Sequence, residues 1–504
     1  MEFIAISVIT TILIGLLSRI AQYILYKLNM YNKSKEMPGP KLYPIIGNAY
    51  LCFGNTEDIY NTFLNLNNKY QLLWRAWLGT KLFVIVNNPE YIKAILKSPN
   101  ITDKSEVYDS IRPALNNGLL TAPASVWNPH RKILNELFLK KSVKSHMDVL
   151  IYHSNALTEK LESLVGQEID VFYYIFRCTL DIIYDGMLDT QLNSLTNKKC
   201  KLAELIESGM DISSQRMFKL WLHPNIIFYN TAMGKKFQKF VSYLNNITRN
   251  IIKEKKESLL KSNINQELTK ENSKLKPKTL LDVLYKSSYK EVKYSEQDIL
   301  GEINTIVMAG SETTATAISF VLLMMAIFPD IQDKVYEELS QIYGSNDPKY
   351  LPIACNDTKN MKFLDRVIKE TLRLFPPAPI IARKVSQDIE VTKDWTIPDG
   401  STAVFNIYSV HRNEKYWPQP LVFDPDRFLP EKNSFANFFP FSYGQRNCIG
   451  QKFAILEMTI IIATLIRKFL IKIDEPIGIA EVVVKLNVTL KPAKPIRLKF
   501  ERRN

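Results

Sequence analysis

The stretch Phe441-Ser442-Tyr443-Gly444-Gln445-Arg446-Asn447-Cys448-Ile449-Gly450 decides how this chain is read. Cys448 sits in a turn-like segment that opens a helix over about 450–468. Glycines on both sides let the backbone approach and curl around a metal-bound sulfur. Amides of the loop and of the helix N-terminus can donate to a thiolate and keep it deprotonated. Arg446 adds positive charge for an anionic cofactor group, and Phe441 can shield the sulfur from water and oxidants. The bland alternative is a buried structural cysteine. Cys52, Cys178, Cys200 and Cys355 lie in no comparable loop and keep that plainer reading.

Around this loop the composition narrows the field. The 504 residues are 46% hydrophobic and 23% charged, enough to bury a large core and to exclude disorder, collagen-like repeats and a disulfide-stapled miniature. Five scattered cysteines without a CxxC pair fit reducing surroundings. Five histidines without HxxxH or HExxH argue against a zinc hydrolase, and His130 reads as a packing or surface residue. No P-loop is present, and no GxGxxG follows a strand pattern. With 65 Lys+Arg against 51 Asp+Glu the net charge is +14. No basic, aromatic-interleaved segment accompanies that excess, so nucleic acid is not an expected partner. Acidic protein surfaces and anionic lipid are better matched to it.

From Phe3 to Leu17 there is no charge, and after Arg19 a second apolar stretch reaches Leu28. Together they can span a bilayer, which needs roughly 20 residues, with Arg19 at an interface. Lys27, Lys33 and Lys35 follow while only Glu2 precedes, which places the bulk of the chain in the cytosol. A cleaved signal peptide is disfavoured by the missing basic n-region and cleavage site. Residues 1–30 are read as a membrane anchor, 31–50 as a hinge stiffened by Pro38, Pro40 and Pro44, and 51–504 as one domain.

Within that domain two strands are expected in 73–86, then helices near 90–98, 126–166, 168–189, 199–211 and 233–260. The Lys- and Glu-rich stretch 253–290 reads as an exposed, mobile loop with helical ends. A long helix over about 295–325 is apolar on nearly every face and should cross the core. A helix at 363–374, short strands at 389–391 and 402–406, and a hairpin near 481–499 complete a mostly α fold with a small β region.

On the long helix Glu302, Thr305 or Ile306, Ala309 and Thr313 recur at intervals of three and four and share a stripe. Ala309 and Gly310 are small enough to admit a flat group one turn before Thr313. The Thr313 hydroxyl can take the carbonyl four residues back, and Glu312 offers a carboxylate for proton supply. Glu370 and Arg373 can pair along one helix face.

The cysteine loop resembles the haem-binding loop of cytochrome P450, FxxGxRxCxG, through Phe441, Gly444, Arg446, Cys448 and Gly450. Ala309-Gly310-Ser311-Glu312-Thr313-Thr314 resembles the oxygen-activating helix motif of that superfamily. Glu370 and Arg373 resemble its ExxR pair, with Arg427 as the later partner, and Trp127 and Arg131 its WxxxR. The resemblance implies the P450 fold, haem b with Cys448 as iron ligand, and proton management by Thr313 and Glu312. It implies contacts to the haem propionates from Trp127, Arg131, Arg383 and Arg446, and a scaffold role for Glu370, Arg373 and Arg427.

The run Glu302–Thr314 (EINTIVMAGSETT) resembles the fatty-acid ω-hydroxylase clade and its insect members, roughly ExDTxxxxGxDTT. Several of those relatives esterify haem through a Glu just before the motif glycine. Ala309 stands there instead, which rules out that bond and loosens the ω-selectivity linked to it. The implied reaction inserts one oxygen atom from O2 into a lipophilic substrate, whether fatty acid, hydrocarbon or xenobiotic. Electrons would come from NADPH through NADPH–cytochrome P450 reductase, aided by cytochrome b5, at the endoplasmic reticulum membrane. An O2-independent haem-thiolate isomerase or dehydratase is opposed by Thr313; a non-catalytic haem-binding protein is the other alternative. The cavity should draw on 105–123, 205–235, Ala378–Ala382 and about 480–486, with Leu119, Leu120, Ile380 and Ile381 giving it an apolar lining.

Overall fold

Ser295 starts the helix on which the rest is built. Its hydroxyl accepts from the Asp298 amide at 3.1 Å, while the Asp298 carboxylate accepts from the Ser295 amide at 3.0 Å. This reciprocal cap satisfies amides that have no intrahelical partner. The central helix then runs Glu296–Ile327, and Pro329 follows its end. From Ile299 to Met325 its side chains are buried except at Ala309, Gly310 and Thr313. The computed structural model describes residues 2–197, 199–265, 279–288, 294–344, 353–432, 434–475 and 477–503.

The helices Val171–Leu188, Ala232–Asn265, Lys362–Leu374 and Gln451–Lys468 pack around the central one. The closest approach is to Val171–Leu188, where a Cβ on Gly310 would meet Ile183 at 2.8 Å and Thr179 donates to the Ser311 carbonyl at 2.9 Å. Gly310 thus lets the two helices come close, with only the flexible end of Ile183 in the way of a larger residue.

Strands β1 (Leu73–Leu78), β2 (Lys81–Val86), β3 (Glu168–Asp170), β4 (Ile380–Lys384), β5 (Ile389–Glu390), β6 (Thr396–Ile397), β7 (Thr402–Asn406), β8 (Phe469–Lys472), β9 (Val484–Leu486), β10 (Leu490–Pro492) and β11 (Arg497–Arg502) form four small sheets. The largest has the order β1-β2-β7-β4, with β2 and β7 parallel and the other pairs antiparallel. Among the described residues the other sheets are β3-β11-β8, the β5–β6 pair and the β9–β10 hairpin.

Some expectations change. The single helix expected over 126–166 is three: Ala124–Leu134, Lys140–Lys144 and Met147–Glu162. Leu139 is extended (φ −65°, ψ 147°), and the bend before it buries Leu137 and Phe138. In the expected hairpin at 481–499 only β9 and β10 pair with each other; β11 crosses to β3 and β8. Residues 253–265 continue a helix and Leu280–Ser288 is another, while 266–278 and 289–290 of the expected loop lie outside the described residues.

The N-terminal helix is Glu2–Ser34, longer than the anchor read from sequence. Its stretch from Ala5 onward is long and apolar enough to cross a membrane. Its last turns dock on the domain: Tyr26 donates to the Asp399 carbonyl at 3.0 Å, Lys33 pairs with Asp388, and Met30 is buried.

Candidate functional site

Between the central helix, the cysteine loop and the four-stranded sheet lies a cavity of about 1450 Å³. Cys448 faces it from a loop whose shape is fixed by backbone geometry. Gly444 has φ +77°, and a Cβ there would stand 2.2 Å from the Leu96 carbonyl oxygen. Ser442 adopts φ +65°, a strained conformation for a residue with a side chain. The Cys448 amide donates to the Phe441 carbonyl at 2.9 Å, closing the loop. Gly450 differs from the expectation: its φ is −84°, and a Cβ would make only ordinary contacts, 3.7 Å from Phe138 and 4.0 Å from the Cys448 sulfur, so neither backbone nor space requires glycine there.

Burial raises the Cys448 thiol above its usual range. The Gly450 and Gln451 amides and the Arg131 guanidinium act in the opposite direction.

The opposing wall is the central helix. Thr305, Ile306, Ala309, Gly310 and Thr313 line the cavity, and Thr313 donates to the Ala309 carbonyl at 2.7 Å. Glu302 leaves the expected stripe. It is fully buried, 2.7 Å from His130 Nδ1, and accepts the Leu119 amide at 2.9 Å. His130 is thereby a clamp between the Ala124–Leu134 helix and the central helix, and the loop through Leu119 is tied to both. Gly118 permits the approach, since a Cβ there would meet the Gly301 carbonyl oxygen at 2.2 Å. Glu312 is also fully buried but turns to Lys491 at 2.9 Å and to the Thr489 hydroxyl at 3.2 Å.

Three cations converge on one side of the cavity: Arg383, Arg446 and Lys104. Arg383 is 1% exposed and its Nη2 has no hydrogen-bond partner; Arg446 donates to the Ala122 carbonyl but leaves Nε and Nη1 unpartnered. Burial, then Arg383, pulls the Arg446 guanidinium down to about 10. Burial, then Arg383 and Arg446, holds Lys104 well below the usual lysine range. Unpartnered buried donors and mutual repulsion call for an anion, and two carboxylates of a flat ring above Cys448 fit both. Trp127 packs its ring 4.6 Å from the Arg446 guanidinium. Arg131 does something not expected of it: it donates to the Asn447 carbonyl at 2.8 Å and to the Asn447 side chain at 2.9 Å, bracing the cysteine loop. Lys104 carries no sequence signal and was not among the expected residues.

Beneath the loop Glu370 and Arg373 are both fully buried and joined by two bonds of 2.7 Å, with Arg427 Nε 3.4 Å from Glu370. Arg373 also donates to the His411 carbonyl at 2.8 Å. The His411 ring in turn accepts the Phe439 amide at 2.8 Å, two residues before Phe441. The charged cluster therefore reaches the cysteine loop through His411.

Among the described residues no three His, Cys, Asp or Glu side chains are arranged to hold a metal ion. A single protein ligand would suffice for an iron whose remaining donors belong to a tetrapyrrole. Of the cavity lining, Leu119, Leu120, Met210, Ile380, Leu486 and Val488 supply much of the apolar surface. On the late hairpin, Leu486–Thr489 form the wall that had been expected at 480–486.

The fold and this site define a haem-thiolate oxygenase, and the family model "Cytochrome P450" matches residues 37–500, so the chain belongs to the cytochrome P450 family. It is 33% identical over 509 residues to cytochrome P450 4c3 of Drosophila melanogaster, covering 95% of this chain and 93% of that protein. It is 32% identical to cytochrome P450 4c21 of Blattella germanica, over 93% of this chain and 94% of the relative. Against human cytochrome P450 4V2 the identity is 30%, over 98% and 94%. The relationship to the ω-hydroxylase clade seen in Glu302–Thr314 stands on insect and vertebrate relatives alike. The chain is a P450 monooxygenase, a haem-thiolate enzyme acting on lipophilic substrates with NADPH-derived electrons.

Proposed function

We propose that Cys448 would ligate the iron of haem b through its thiolate, in a cavity that Thr313 also lines, in an enzyme that hydroxylates a lipophilic molecule such as a fatty acid, hydrocarbon or xenobiotic. The single observation that carries this is the Cys448 thiol facing an apolar cavity of about 1450 Å³ whose opposite wall is Ala309 to Thr313. When bound, haem supplies the iron at which O2 is reduced and one of its oxygen atoms is transferred to carbon. Arg383, Arg446 and Lys104 would hold its propionates, with Trp127 packed beside Arg446 and Arg131 fixing the loop. Thr313 and Glu312 would handle protons, Thr313 at the cavity wall and Glu312 behind it. Electrons would arrive from NADPH–cytochrome P450 reductase, with cytochrome b5 as a second donor. The Glu2–Ser34 helix would anchor the enzyme in the endoplasmic reticulum membrane with the domain in the cytosol.

The experiment is the reduced-plus-CO difference spectrum of the membrane-expressed protein and of Cys448→Ala. A thiolate-type Soret band in the first and none in the second supports the ligand assignment. Haem-loaded, folded protein without that band in the unsubstituted chain overturns it.

A further inference from the structure

Glu312 has a neighbour that the oxygenase motif does not account for. Its carboxylate is fully buried, and it meets the Nζ of Lys491, on β10, at 2.9 Å. Lys491 is itself 8% exposed in its side chain, lies over the Phe172 ring at 4.2 Å, and stands 3.6 Å from Glu207, which is half exposed on the Leu202–Phe218 helix. On the inner side Glu312 Oε1 accepts from the Thr489 hydroxyl at 3.2 Å, and Thr489 lines the cavity. Neither Glu312 Oε2 nor Lys491 Nζ has a hydrogen-bond partner in the protein, so the 2.9 Å contact between Lys491 and Glu312 is an ion pair. Four polar groups thus run from the surface to the cavity through otherwise apolar packing: Glu207, Lys491, Glu312, Thr489.

We propose that Lys491 is the positioning residue of Glu312, holding it ionised and linking it to solvent at Glu207, so that this line is a proton path into the cavity. An isolated carboxylate at that depth takes up a proton rather than stay charged; a paired ammonium removes the reason. Burial alone lowers the Lys491 pKa, but Glu312 and Glu207 outweigh it and raise the group overall, so the ammonium persists. Facing Lys491 are Glu312 from the central helix, Glu207 from the Leu202–Phe218 helix and the Phe172 ring from the Val171–Leu188 helix. Asp170, which caps that last helix, feels Glu207 as well. In one passage the Lys491 N–H bond breaks as Glu312 gains the proton. The Glu312 O–H bond then breaks as the Thr489 hydroxyl, turned from donor to acceptor, takes that proton, and the O–H bond Thr489 already held breaks toward a water in the cavity. Lys491 recovers a proton delivered from solvent at Glu207. The pair ends as it began, and no oxidant or reductant beyond the enzyme's own is involved.

The inference rests on the monooxygenase reading, so the ferrous–CO band is recorded for each variant to separate failure of the two. The primary readout is independent of turnover: infrared difference spectra of Lys491→Met, Lys491→Arg and Lys491→Met/Glu312→Gln. A protonated-carboxyl C=O stretch is expected in Lys491→Met, absent from the double variant and from Lys491→Arg. In parallel, kcat for Lys491→Met should fall about tenfold, with KM unchanged, a larger solvent isotope effect and more peroxide released; Lys491→Arg should restore these. A Lys491→Met protein with the thiolate band, no carboxylic acid stretch and an unchanged isotope effect overturns the proposal. Should Lys491→Met not fold, Lys491→Gln carries the infrared test under the same criteria. Glu207→Gln, at a half-exposed site, carries the kinetic one: an unchanged isotope effect there overturns the path.

Discussion

Arg373 places two of its nitrogens 2.7 Å from the two oxygens of Glu370 one turn earlier on the same helix, and neither side chain touches water. The arrangement is rigid because every remaining donor is used in a direction that matters. The Arg373 Nη1 goes to the His411 carbonyl, the Asp424 amide goes to Glu370, and the His411 ring holds the Phe439 amide. A buried charge pair of this kind contributes little net stability, but removing one partner strands the other.

Arg373→Leu should therefore cost about 3–5 kcal/mol and leave an uncompensated Glu370 carboxylate. Because the strain falls on the segment leading to Phe441, the expected result is protein that accumulates with little haem and no thiolate-type CO band. Arg427→Leu should be milder, since Arg427 stands 3.4 Å from Glu370 and keeps some solvent exposure. Haem content per protein, measured on purified membranes, checks both. Full haem loading in Arg373→Leu would remove the scaffold role.

The cations around the cavity make a graded series. Each charge-assisted contact to a propionate is worth about 1.5–3 kcal/mol, so Arg383→Leu or Arg446→Leu should speed haem transfer to an excess of a scavenging apoprotein by roughly ten- to a hundredfold. Lys104→Met should act in the same direction. Its pKa, lowered by burial and then by its two arginine neighbours, should rise when haem binds. Proton uptake on haem addition, compared between the unsubstituted chain and Lys104→Met, tests this. Equal uptake in the two proteins would mean that Lys104 does not face the propionates.

What could be read from the chain follows from where the information sits. Cys448, Gly444 and Arg446 lie within five residues of one another, and Ala309 to Thr314 within one helical stretch, so local sequence carries them. Glu370 and Arg373 were legible for the same reason. The partners that decide how Glu302 and Glu312 behave are 172 and 177 residues away, at His130 and Thr489, and nothing in either segment announces the other. Lys104 and His411 lie outside any motif, and both matter only through what the fold sets beside them. The expected helix over 126–166 failed because period alone does not register that Leu137 and Phe138 must turn inward. The N-terminal helix continues to Ser34, and its last turns bury Met30 and Ser34 against the domain, a long-range contact that local sequence does not announce.

Ala309 gives a prediction about how haem is held. The residue before the motif glycine has no carboxylate, and its methyl group faces the cavity. Haem should leave this chain completely on acid–organic extraction, and the polypeptide should carry no porphyrin mass. Ala309→Glu, by restoring the acid found in several clade members, should retain a fraction of haem after turnover. Haem retained by the unsubstituted chain after extraction would mean that another side chain forms the bond.

His411 gives the pH dependence its sign. Burial first, then the nearby Arg373, depresses the folded pKa to about 3. The ring therefore stays neutral and can accept the Phe439 amide through Nε2. In the unfolded chain it titrates near its ordinary value of about 6.5. Between those two values the unfolded state binds a proton that the folded state refuses. Stability from this group is thus complete above about pH 6.5 and is lost as pH falls, by about 2 kcal/mol at pH 5. Other groups titrate in the same window, so the check is a comparison of slopes. Urea midpoints at pH 7 and pH 5 should move less in His411→Phe than in the unsubstituted chain, even though the variant is less stable at both. Parallel slopes would show that His411 does not titrate differently in the two states, and would remove it from the link between Arg373 and the cysteine loop.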